Sequence, residues 1–447
     1  MSVDTPTISI IIPVYNGMAT LPRCLTAVFA STYPAFECIV VDDGSRDASP
    51  ETAVQHGARV VRLPDGPHGP AYARNEGARV ATGALLYFVD ADVVIYPDTL
   101  AHIAAAFHAR PDIDALFGSY DELPGDGGFL SQYRNLQHHF VHQQGMEDAS
   151  TFWSGCGAIR RQVFLAAGGF DSKRYPRPSI EDIDLGYRLR ATGSRIWLHK
   201  ALQVKHLKRW SFRGMLRTDV FDRAIPWTRL IVSAQNLPDD LNLGQSQRIS
   251  AFLVCLLLLG LALTSWLPGV LLLPLHVLLF LLLVDGWRWE PRPTHFRLSR
   301  AAAARLALVL LAAGALAAWW SLPVVLLMLA LTAVGAAAGA LFSGLSPALR
   351  PLLFAMMLVP PGVGFAALLV ALPWWVSLPL LGLTAAVIAL NPRFYRFFLR
   401  QRGLAFALAT IPLQMLYYLY SVISFVAVTG HHHWHHTVKP KFAESLE

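Results

Sequence analysis

An α/β domain with a mostly parallel sheet, followed by an all-α transmembrane bundle, is the architecture that the 447-residue sequence predicts. Three observations predict it. In the first half, strand-like apolar runs alternate with helix-compatible segments, and these runs end in polar residues. After about residue 249, ionisable residues become rare. Alternation of this kind is typical of βαβ units whose parallel sheet is covered on both faces.

Four runs with high β propensity open the chain, and helix-compatible segments separate them. The runs are TISIIIPVY, FECIVVDD, ARVVRLP and ALLYFVDAD, and the helical segments cover residues 19–31, 47–57 and 71–82. In open parallel sheets, ligands bind outside the carboxyl ends of the strands. Three of the strand ends carry the polar sequences PVYNG, VDDGS and DAD. We therefore expect a binding site at that edge of the sheet.

The second half of the chain predicts about seven transmembrane helices within residues 246–430. Three uncharged runs, at residues 249–284, 306–349 and 351–392, are each long enough for two crossings, because one spanning helix needs about 20 apolar residues. Trp- and Pro-containing turns (SWLPG, AWWSLP and LPWWVSLP) divide these runs and suit the membrane interface. A last run, at about 404–429, predicts one long crossing, with a re-entrant hairpin bent at Pro412 and Gln414 as the alternative.

The arginine distribution predicts the orientation of this bundle. No signal peptide precedes the first apolar run, so we expect a cytoplasmic first domain on a multi-pass protein of the inner cell membrane. Three connecting loops, 285–305, 343–351 and 391–403, then face the cytoplasm, in agreement with the positive-inside rule. They contain Arg288, Arg292, Arg297, Arg300, Arg350, Arg393, Arg396, Arg400 and Arg402. Seven crossings place the His-rich tail, residues 431–447, outside, and the hairpin alternative keeps it inside.

Composition argues against two further functions. The net charge of +7 is explained by the arginines that flank the membrane, so no nucleic-acid partner is expected. The four cysteines lack a CxxC pair, which predicts reduced thiols packed as small apolar residues. They are Cys24, Cys38, Cys156 and Cys255. The histidines of the tail are interpreted as an interfacial or solvated segment rather than as a metal site.

Asp90 and Asp92 follow the apolar run LLYFV directly. Two carboxylates that flank one residue at a strand end face the same side. This arrangement suits a hard divalent cation that also binds phosphate oxygens. The alternative is a strand-ending Asx turn, in which the carboxylates only bind nearby backbone.

Six segments occur in an order that resembles the family 2 glycosyltransferases. They are SIIIPVYNG, IVVDDGSRD, GPAYARNEGAR, FVDADV, SGCGAIRRQVFLAAGGFD and SIEDIDLGYRL, within about residues 7–230. The resemblance implies the Rossmann-like GT-A fold and a nucleotide-sugar donor. It implies a catalytic domain at residues 1–210, followed by amphipathic interfacial helices at 211–245.

The resemblance also implies a nucleotide-sugar pocket. Its residues are Pro13, Tyr15, Asn16, Asp43, Arg74 and Asp90. Tyr15 is expected to lie against the base, and Asp43 to accept a hydrogen bond from a uracil imide. The alternatives are a plain strand-to-helix turn for Asp43 and a solvated helix face for Arg74.

A Mg²⁺ or Mn²⁺ ion is the cofactor that the family pattern implies. Asp92 is the expected ligand and Asp90 its partner. In VKHLKRW, His206 stands where the family's (Q/R)xxRW element has Gln or Arg, and a neutral imidazole there is a candidate third ligand. The alternative is a structural histidine, and this departure leaves a diphosphate contact at position 206 in doubt.

An inverting transfer needs a base that takes the proton of the acceptor hydroxyl. The family pattern assigns this role to Asp182, with Glu181 as the second choice. Arg209 and Trp210 match the remaining residues of the (Q/R)xxRW element and are expected to act on the donor diphosphate and the acceptor. The sequence also predicts a capping box, with Ser179 as N-cap and Asp182 at N3.

The acceptor is predicted to be a membrane lipid, such as a sphingolipid, a diacylglycerol or a polyprenyl carrier. Trp153, Cys156 and Trp210 are its candidate contacts, and ordinary core packing is the alternative for Trp153 and Cys156. In residues 211–232, aromatic residues alternate with arginines, a pattern typical of helices in the headgroup plane. Two other functions stay open, namely a processive polysaccharide synthase and a non-catalytic lipid-transport or scaffold protein.

Overall fold

The computed structural model describes residues 6–234, 244–266, 270 and 372–434. The chain divides into two compact units. The first unit consists of Met1–Asp126, Asn135–Arg209 and Phe221–Leu243. The second consists of Gly127–Arg134, Trp210–Val220 and Gly244–Glu447.

The first unit is built on an eight-stranded sheet with the strand order β3-β2-β1-β4-β7-β6-β8-β5. The strands are β1 Ile8–Val14, β2 Phe36–Asp42, β3 Arg59–Arg62, β4 Leu85–Val89, β5 Val93–Val94, β6 Ala115–Tyr120, β7 Cys156–Arg160 and β8 Ile196–His206. Strand β1 pairs in parallel with both β2 and β4, whereas β7 runs antiparallel to β4 and β6. The predicted mostly parallel sheet of the GT-A type is therefore confirmed.

The helices of the first half agree with the predicted segments to within two residues. They are α1 Leu21–Phe29, α2 Ser49–Gln55 and α3 Pro70–Val80. Alternate residues of β1 enter opposite sides of the core, with Ile10 and Ile12 in one apolar cluster and Ile11 in the other. Because both faces are buried, the strands read as apolar runs without polar alternation. The parallel pairing of β1, β2 and β4 brings their carboxyl ends to one edge.

Six further helices follow along the chain. They are α4 Thr99–Ala109, α5 Phe129–Gln144, α6 Arg161–Ala166, α7 Glu181–Ala191, α8 Phe212–Arg217 and α9 Ile225–Ala234. A π-helical segment, Thr218–Ala224, connects α8 to α9. Residues 212–234 are thus helical, as predicted. Residues 235–243 of the predicted interfacial region lie outside the described residues.

From Gly244 onward, the second unit contains four described helices, α10 Gln245–Leu263, α11 Trp374–Leu390, α12 Pro392–Arg402 and α13 Leu404–His433. In the described part of the chain, Gln245–Leu263 and Phe406–His433 are candidate membrane spans by length and hydropathy. A third is possible if α11 and α12, bent by 77°, form one span. The crossings predicted within 271–371 and the tail at 435–447 lie outside the described residues, so the number of about seven stays a prediction.

The structure tests two expectations about the end of this unit. Residues 391–403 were expected to be a loop, but 392–402 form α12, because Phe394 and Phe398, one helical turn apart, bury one face. Helix α13 continues through Pro412 for 30 residues. The single long helix is therefore observed, and the re-entrant hairpin is wrong.

An uncharged hydrogen-bond network connects three helices of the second unit. Asn391, between α11 and α12, donates from Nδ2 to Ser250 Oγ of α10 over 2.8 Å. Gln247 of α10 donates to Asn391 Oδ1 over 3.0 Å, and Tyr418 of α13 donates to Gln247 Oε1 over 2.9 Å. Asn391, Ser250 and Tyr418 are buried. Each buried polar side chain thus has partners, as burial requires. We call these four residues the neutral network.

Candidate functional site

Arg74 lies at the centre of a buried ion triad. Its Nη2 contacts Asp90 Oδ1 at 2.7 Å, and its Nη1 contacts Glu181 Oε1 at 2.8 Å. Asp90 follows β4, Arg74 lies in α3 and Glu181 begins α7, so three separate elements meet here. The Arg74 side chain is 5% exposed, and its guanidinium lies 5.6 Å from the centre of the Phe170 ring. A buried cation of this kind is tolerated because it has two carboxylate partners.

The predicted capping box at the start of α7 is wrong. The helix begins at Glu181 after Ile180 as N-cap, with no side-chain cap. The Ser179 hydroxyl instead donates to the Asp222 carbonyl over 2.9 Å, so a tertiary contact replaces the local one. The Ser179 N–H donates to Glu181 Oε2 over 2.9 Å. Both oxygens of the buried Glu181 carboxylate are thereby occupied.

Asp182 has the opposite environment to its neighbour. Its side chain is only partly buried and accepts hydrogen bonds from Ser154 N at 3.0 Å and Ser154 Oγ at 3.1 Å. Burial and the charge of Glu181 raise the pKa of Asp182 to about 6, against hydrogen bonds from Ser154 and Ile183 and the charge of Arg74. A helix N-terminus ordinarily favours the carboxylate, but burial outweighs it here. A carboxylate with a pKa near neutrality is suited to act as a general base.

Asp92 and His206 come together because β5 and β8 pair. Val93 is the antiparallel partner of His206, and His206 Nε2 lies 3.5 Å from Asp92 Oδ2. The His206 ring stacks on Tyr120 at 4.1 Å between ring centres, with 10° between the ring planes. Burial raises the pKa of Asp92, but the His206 imidazole and the Lys208 ammonium outweigh it and lower that pKa.

The residues of the predicted metal site fit a divalent ion in part. Among the described residues, no group of three or more His, Cys, Asp or Glu side chains is arranged to hold a metal. Asp92 and His206 provide one oxygen and one nitrogen donor at a separation longer than an N–H···O hydrogen bond. Mg²⁺ commonly takes only one or two protein ligands, with phosphate oxygens and water completing its shell. Asp90 is committed to Arg74 through Oδ1.

Asp43 holds the turn before α3. Its Oδ1 accepts from the His68 N–H at 2.8 Å, and its Oδ2 accepts from the Gly69 N–H at 2.7 Å. Gly69 has φ +95°, and a Cβ there would lie 2.5 Å from the Pro176 carbonyl oxygen, so only glycine fits. Asp43 thus stabilises a turn about 25 residues further along the chain, while Asp42 accepts from the Ser45 N–H in the strand-to-helix turn after β2; the role of Asp43 toward a base stays a prediction.

The other predicted pocket residues surround the end of β1. Tyr15 is 47% exposed and Pro13 is half-buried. Asn16 adopts a left-handed conformation with φ 52°, and its Oδ1 accepts from the Arg46 N–H over 2.8 Å. These contacts fix the β1 and β2 turns against each other. They leave the Tyr15 ring accessible to a ligand.

Trp153 and Cys156 have different surroundings. Trp153 is partly buried, and its ring contacts those of Tyr120 and His138. Cys156 is fully buried in β7, its Sγ lies 3.3 Å from the Tyr87 hydroxyl, and burial raises the pKa of its thiol to about 12. This supports core packing for Cys156, while a lining role stays open for Trp153. As predicted, all four cysteines are free thiols.

Arg209 and Trp210 fall in different units. Arg209 is exposed after β8 in the first unit. Trp210 belongs to the second unit, where its N–H donates to Ser131 Oγ over 2.9 Å. The Arg134 guanidinium carbon lies 5.7 Å from the centre of its ring.

Sequence reasoning missed two residues of this site. Ser154 holds Asp182 with both its N–H and its hydroxyl, and Tyr120 stacks on His206. Ser154 follows Trp153, so its place in the WSGCG segment could have identified it. Tyr120 ends an ordinary buried strand, and no local pattern distinguishes it.

Comparisons with known proteins agree with these observations. The family model for "Glycosyl transferase family 2" matches residues 9–166. Glycosyltransferase AglE of Haloferax volcanii is 39% identical over 236 residues, which cover 50% of this chain and 77% of that protein. The PGL/p-HBAD biosynthesis glycosyltransferase of Mycobacterium bovis is 37% identical over 118 residues, or 25% of this chain and 46% of that protein.

A solved structure with a similar fold is the mannosyltransferase PcManGT from Pyrobaculum calidifontis, in complex with GDP-Man and Mn²⁺. It aligns with a TM-score of 0.41 and 18% identity, over 81% of this chain and 88% of that one. The sequence relationship to AglE covers more than three quarters of that protein. The chain therefore belongs to family 2 of the glycosyltransferases, as a nucleotide-sugar-dependent enzyme whose C-terminal helices include two or three candidate membrane spans.

Proposed function

We propose that this enzyme transfers a hexose from a UDP-sugar to a membrane lipid, with inversion at the anomeric carbon, at the cytoplasmic face of the inner cell membrane. The observation that carries the proposal is the contrast within α7. Glu181 is buried and ion-paired with Arg74, whereas Asp182 is partly exposed, accepts hydrogen bonds from the uncharged Ser154 and Ile183 and has a pKa raised to about 6. Asp182 is thus the carboxylate of this pair that can accept a proton.

The proposed reaction is a single displacement. Asp182 removes the proton from the acceptor hydroxyl as its oxygen attacks the anomeric carbon. The bond from that carbon to the diphosphate oxygen breaks, and the nucleoside diphosphate leaves with the electron pair. One displacement inverts the configuration. Ser154 keeps the Asp182 carboxylate oriented through two hydrogen bonds.

The donor would be held by residues at the carboxyl edge of the sheet. Tyr15, with Pro13 and Asn16 beside it, is suited to contact the base. Asp92 and His206 would hold a Mg²⁺ or Mn²⁺ ion, which supplies positive charge for the departing diphosphate. Arg209, exposed after β8, adds a second positive charge for the same group.

In this proposal, Arg74 and Asp90 frame the site rather than bind the donor directly. The Arg74 guanidinium joins the carboxylate after β4 to the carboxylate that begins α7. Removing Arg74 would leave the buried Glu181 carboxylate without its cation. We infer that this triad sets the position of α7, and hence of Asp182, relative to β4.

The candidate spans support a lipid acceptor. A chain with apolar helices at Gln245–Leu263 and Phe406–His433 is suited to act on a substrate that is already in the bilayer. Residues 212–234 are helical and interleave arginines with aromatic residues, which favours a position at the headgroup level. Trp210 is the proposed acceptor contact in the second unit.

The test uses the full chain in detergent, with Mn²⁺, a panel of labelled UDP-sugars and a total lipid extract. Products are partitioned between organic and aqueous phases. We expect label in the organic phase with one sugar, and loss of that label in Asp182→Asn. The control is Asp148→Asn, which removes an exposed carboxylate paired with Arg190 and should leave transfer intact.

Two outcomes would contradict the proposal. Label in a large aqueous polymer would identify a polysaccharide synthase instead of a lipid transferase. If neither phase carried label with any UDP-sugar, repetition with GDP-sugars would decide between another donor base and an inactive protein.

A further inference from the structure

A second network of side chains, which includes an ion pair, is buried within the second unit. It is separate from the neutral network. Arg134 Nη2 donates to Asp219 Oδ1 over 2.5 Å, and their side chains are 9% and 4% exposed. The Tyr420 hydroxyl donates to Asp219 Oδ2 over 2.6 Å. Asp219 lies in the π-helical segment Thr218–Ala224, and Tyr420 lies in the candidate span of α13.

This network of side chains extends to Trp210. The Arg134 guanidinium lies 5.7 Å from the centre of the Trp210 ring, within the distance of a cation–π interaction. The Trp210 backbone is held as well, because its N–H donates to Ser131 Oγ, one helical turn before Arg134 in the sequence. Ring and backbone of Trp210 are thus fixed by the same short segment, residues 131–134.

The two polar networks on α13 differ in what they require. Uncharged groups in the neutral network already connect α10 and α13. A buried ion pair carries a desolvation penalty that helix packing alone does not demand. A guanidinium, however, can bind a carboxylate with its edge while its face covers an aromatic ring. The Arg134 guanidinium can therefore bind Asp219 and cover the Trp210 ring at the same time. A neutral residue lacks this combination.

We propose that Arg134, Asp219 and Tyr420 position Trp210 for the lipid acceptor. The inference rests on the proposed function, because it takes the acceptor role of Trp210 from there. Tyr420 fixes Asp219, Asp219 fixes the guanidinium plane of Arg134, and Arg134 fixes the ring of Trp210. These three are positioning residues, since we assign them no contact with the reacting atoms and they act through Trp210.

The experiment compares Tyr420→Phe and Arg134→Lys with two reference variants in the full chain. Phosphatidylcholine vesicles with a graded fraction of total lipid extract serve as the acceptor probe. Label in the organic phase gives the half-saturating amount of extract, and equilibrium binding of UDP gives the donor affinity. Trp210→Ala is the positive reference. Tyr418→Phe is the matched control, because it removes the same hydroxyl two residues earlier on α13, from the neutral network.

We expect Tyr420→Phe and Arg134→Lys to raise the half-saturating amount of extract by about three- to tenfold. This is less than the full value of one hydrogen bond to a charged group, because these residues act on the acceptor only through Trp210. UDP affinity should stay unchanged. Trp210→Ala should raise the half-saturating amount at least as much. Tyr418→Phe should lower thermal stability without a change in acceptor dependence.

The outcomes separate the inference from the proposed function. If wild-type protein puts no label into lipid, the proposed function fails. If Trp210→Ala behaves as wild type, its acceptor role and the inference fail together, while lipid transfer stands. If Trp210→Ala impairs acceptor use and Tyr420→Phe does not, or if Tyr418→Phe impairs it equally, the inference alone is overturned, because the network then acts only on stability.

Discussion

Two polar networks, one in each unit, are made of different groups. The first unit contains the triad, in which Arg74 and Glu181 are buried and Asp90 is partly exposed, and the second unit contains the neutral network. The triad is formed by two carboxylates and a guanidinium. The neutral network contains only amide and hydroxyl groups.

This difference shows what each network is for. Uncharged side chains hold helices together at a small cost of burial, and such hydrogen bonds contribute modestly in membranes. Buried charges are costly, and they occur here directly beside Asp182, whose pKa they help to set. Of these two networks, the charged one lies beside the proposed base, and the neutral one joins helices.

The largest expected effect comes from Asp182. Asp182→Asn removes the proposed base and should lower kcat by about 10²- to 10⁴-fold, the range for general-base catalysis. The Asn side chain can still accept from Ser154, so donor binding should persist. Steady-state kinetics and UDP binding by calorimetry check this. An equal loss of both would reject Asp182 as the base.

The next effect concerns the triad itself. Arg74→Met leaves the buried Glu181 carboxylate without its cation and should lower the free energy of unfolding by about 3–5 kcal/mol. Arg79→Met on the same helix is the control. Its side chain is 68% exposed in a surface pair with Glu76, and it should change stability by less than about 1 kcal/mol. Denaturant unfolding compares the two, and similar losses would show that the triad has no special weight.

A smaller effect on activity is expected when the pH is changed. Because Asp182 must be ionised to act as base, kcat/KM should rise with pH and level off above the pKa of about 6. Below that pKa, activity should fall about tenfold per pH unit. The same raised pKa stabilises the folded protein at acid pH, and this contribution is lost as pH rises through about 6. A pH–rate profile without an inflection near 6 would contradict the assignment.

The smallest effect is expected in the neutral network. Tyr418→Phe removes one hydroxyl that donates to Gln247 and Asn391, and should cost about 0.6 kcal/mol, typical of a hydrogen bond between membrane helices. Thermal unfolding in detergent, with Tyr417→Phe for comparison, measures it. A loss as large as that of Arg74→Met would erase the distinction between the two networks.

Much of the fold was predictable because it depends on local patterns. The runs that became β1 to β4 were recognisable by their apolar, β-prone residues and by the turns that follow. The helices α1 to α3 were placed to within two residues, since their ends carry turn-forming residues. The loop expected at 391–403 was wrong because the segment was read by its arginines, which suit a membrane-flanking connection, although Phe394 and Phe398 lie one helical turn apart on a buried face.

The candidate site was less predictable, since its electrostatics depend on residues that are distant in sequence. Asp90, Asp92 and Asp182 could be named from short segments, but nothing near Arg74 indicates its contact with Glu181, 107 residues away. Ser179 likewise has the sequence of an N-cap, yet its hydroxyl donates to Asp222. A local rule fails where a tertiary partner competes for the same group.

The sequence by itself determined the order of strands and helices, the polar strand ends and the resemblance to the family, because these depend on periodicity and on neighbouring residues. Only the tertiary structure decided how the surroundings of the two carboxylates in the Glu181–Asp182 pair differ. Glu181 is buried against the Arg74 guanidinium, whereas Asp182 is partly exposed and has a raised pKa. The physical reason is that the pKa of a carboxyl group depends on what surrounds it in space, and those surroundings come together only when the chain is folded.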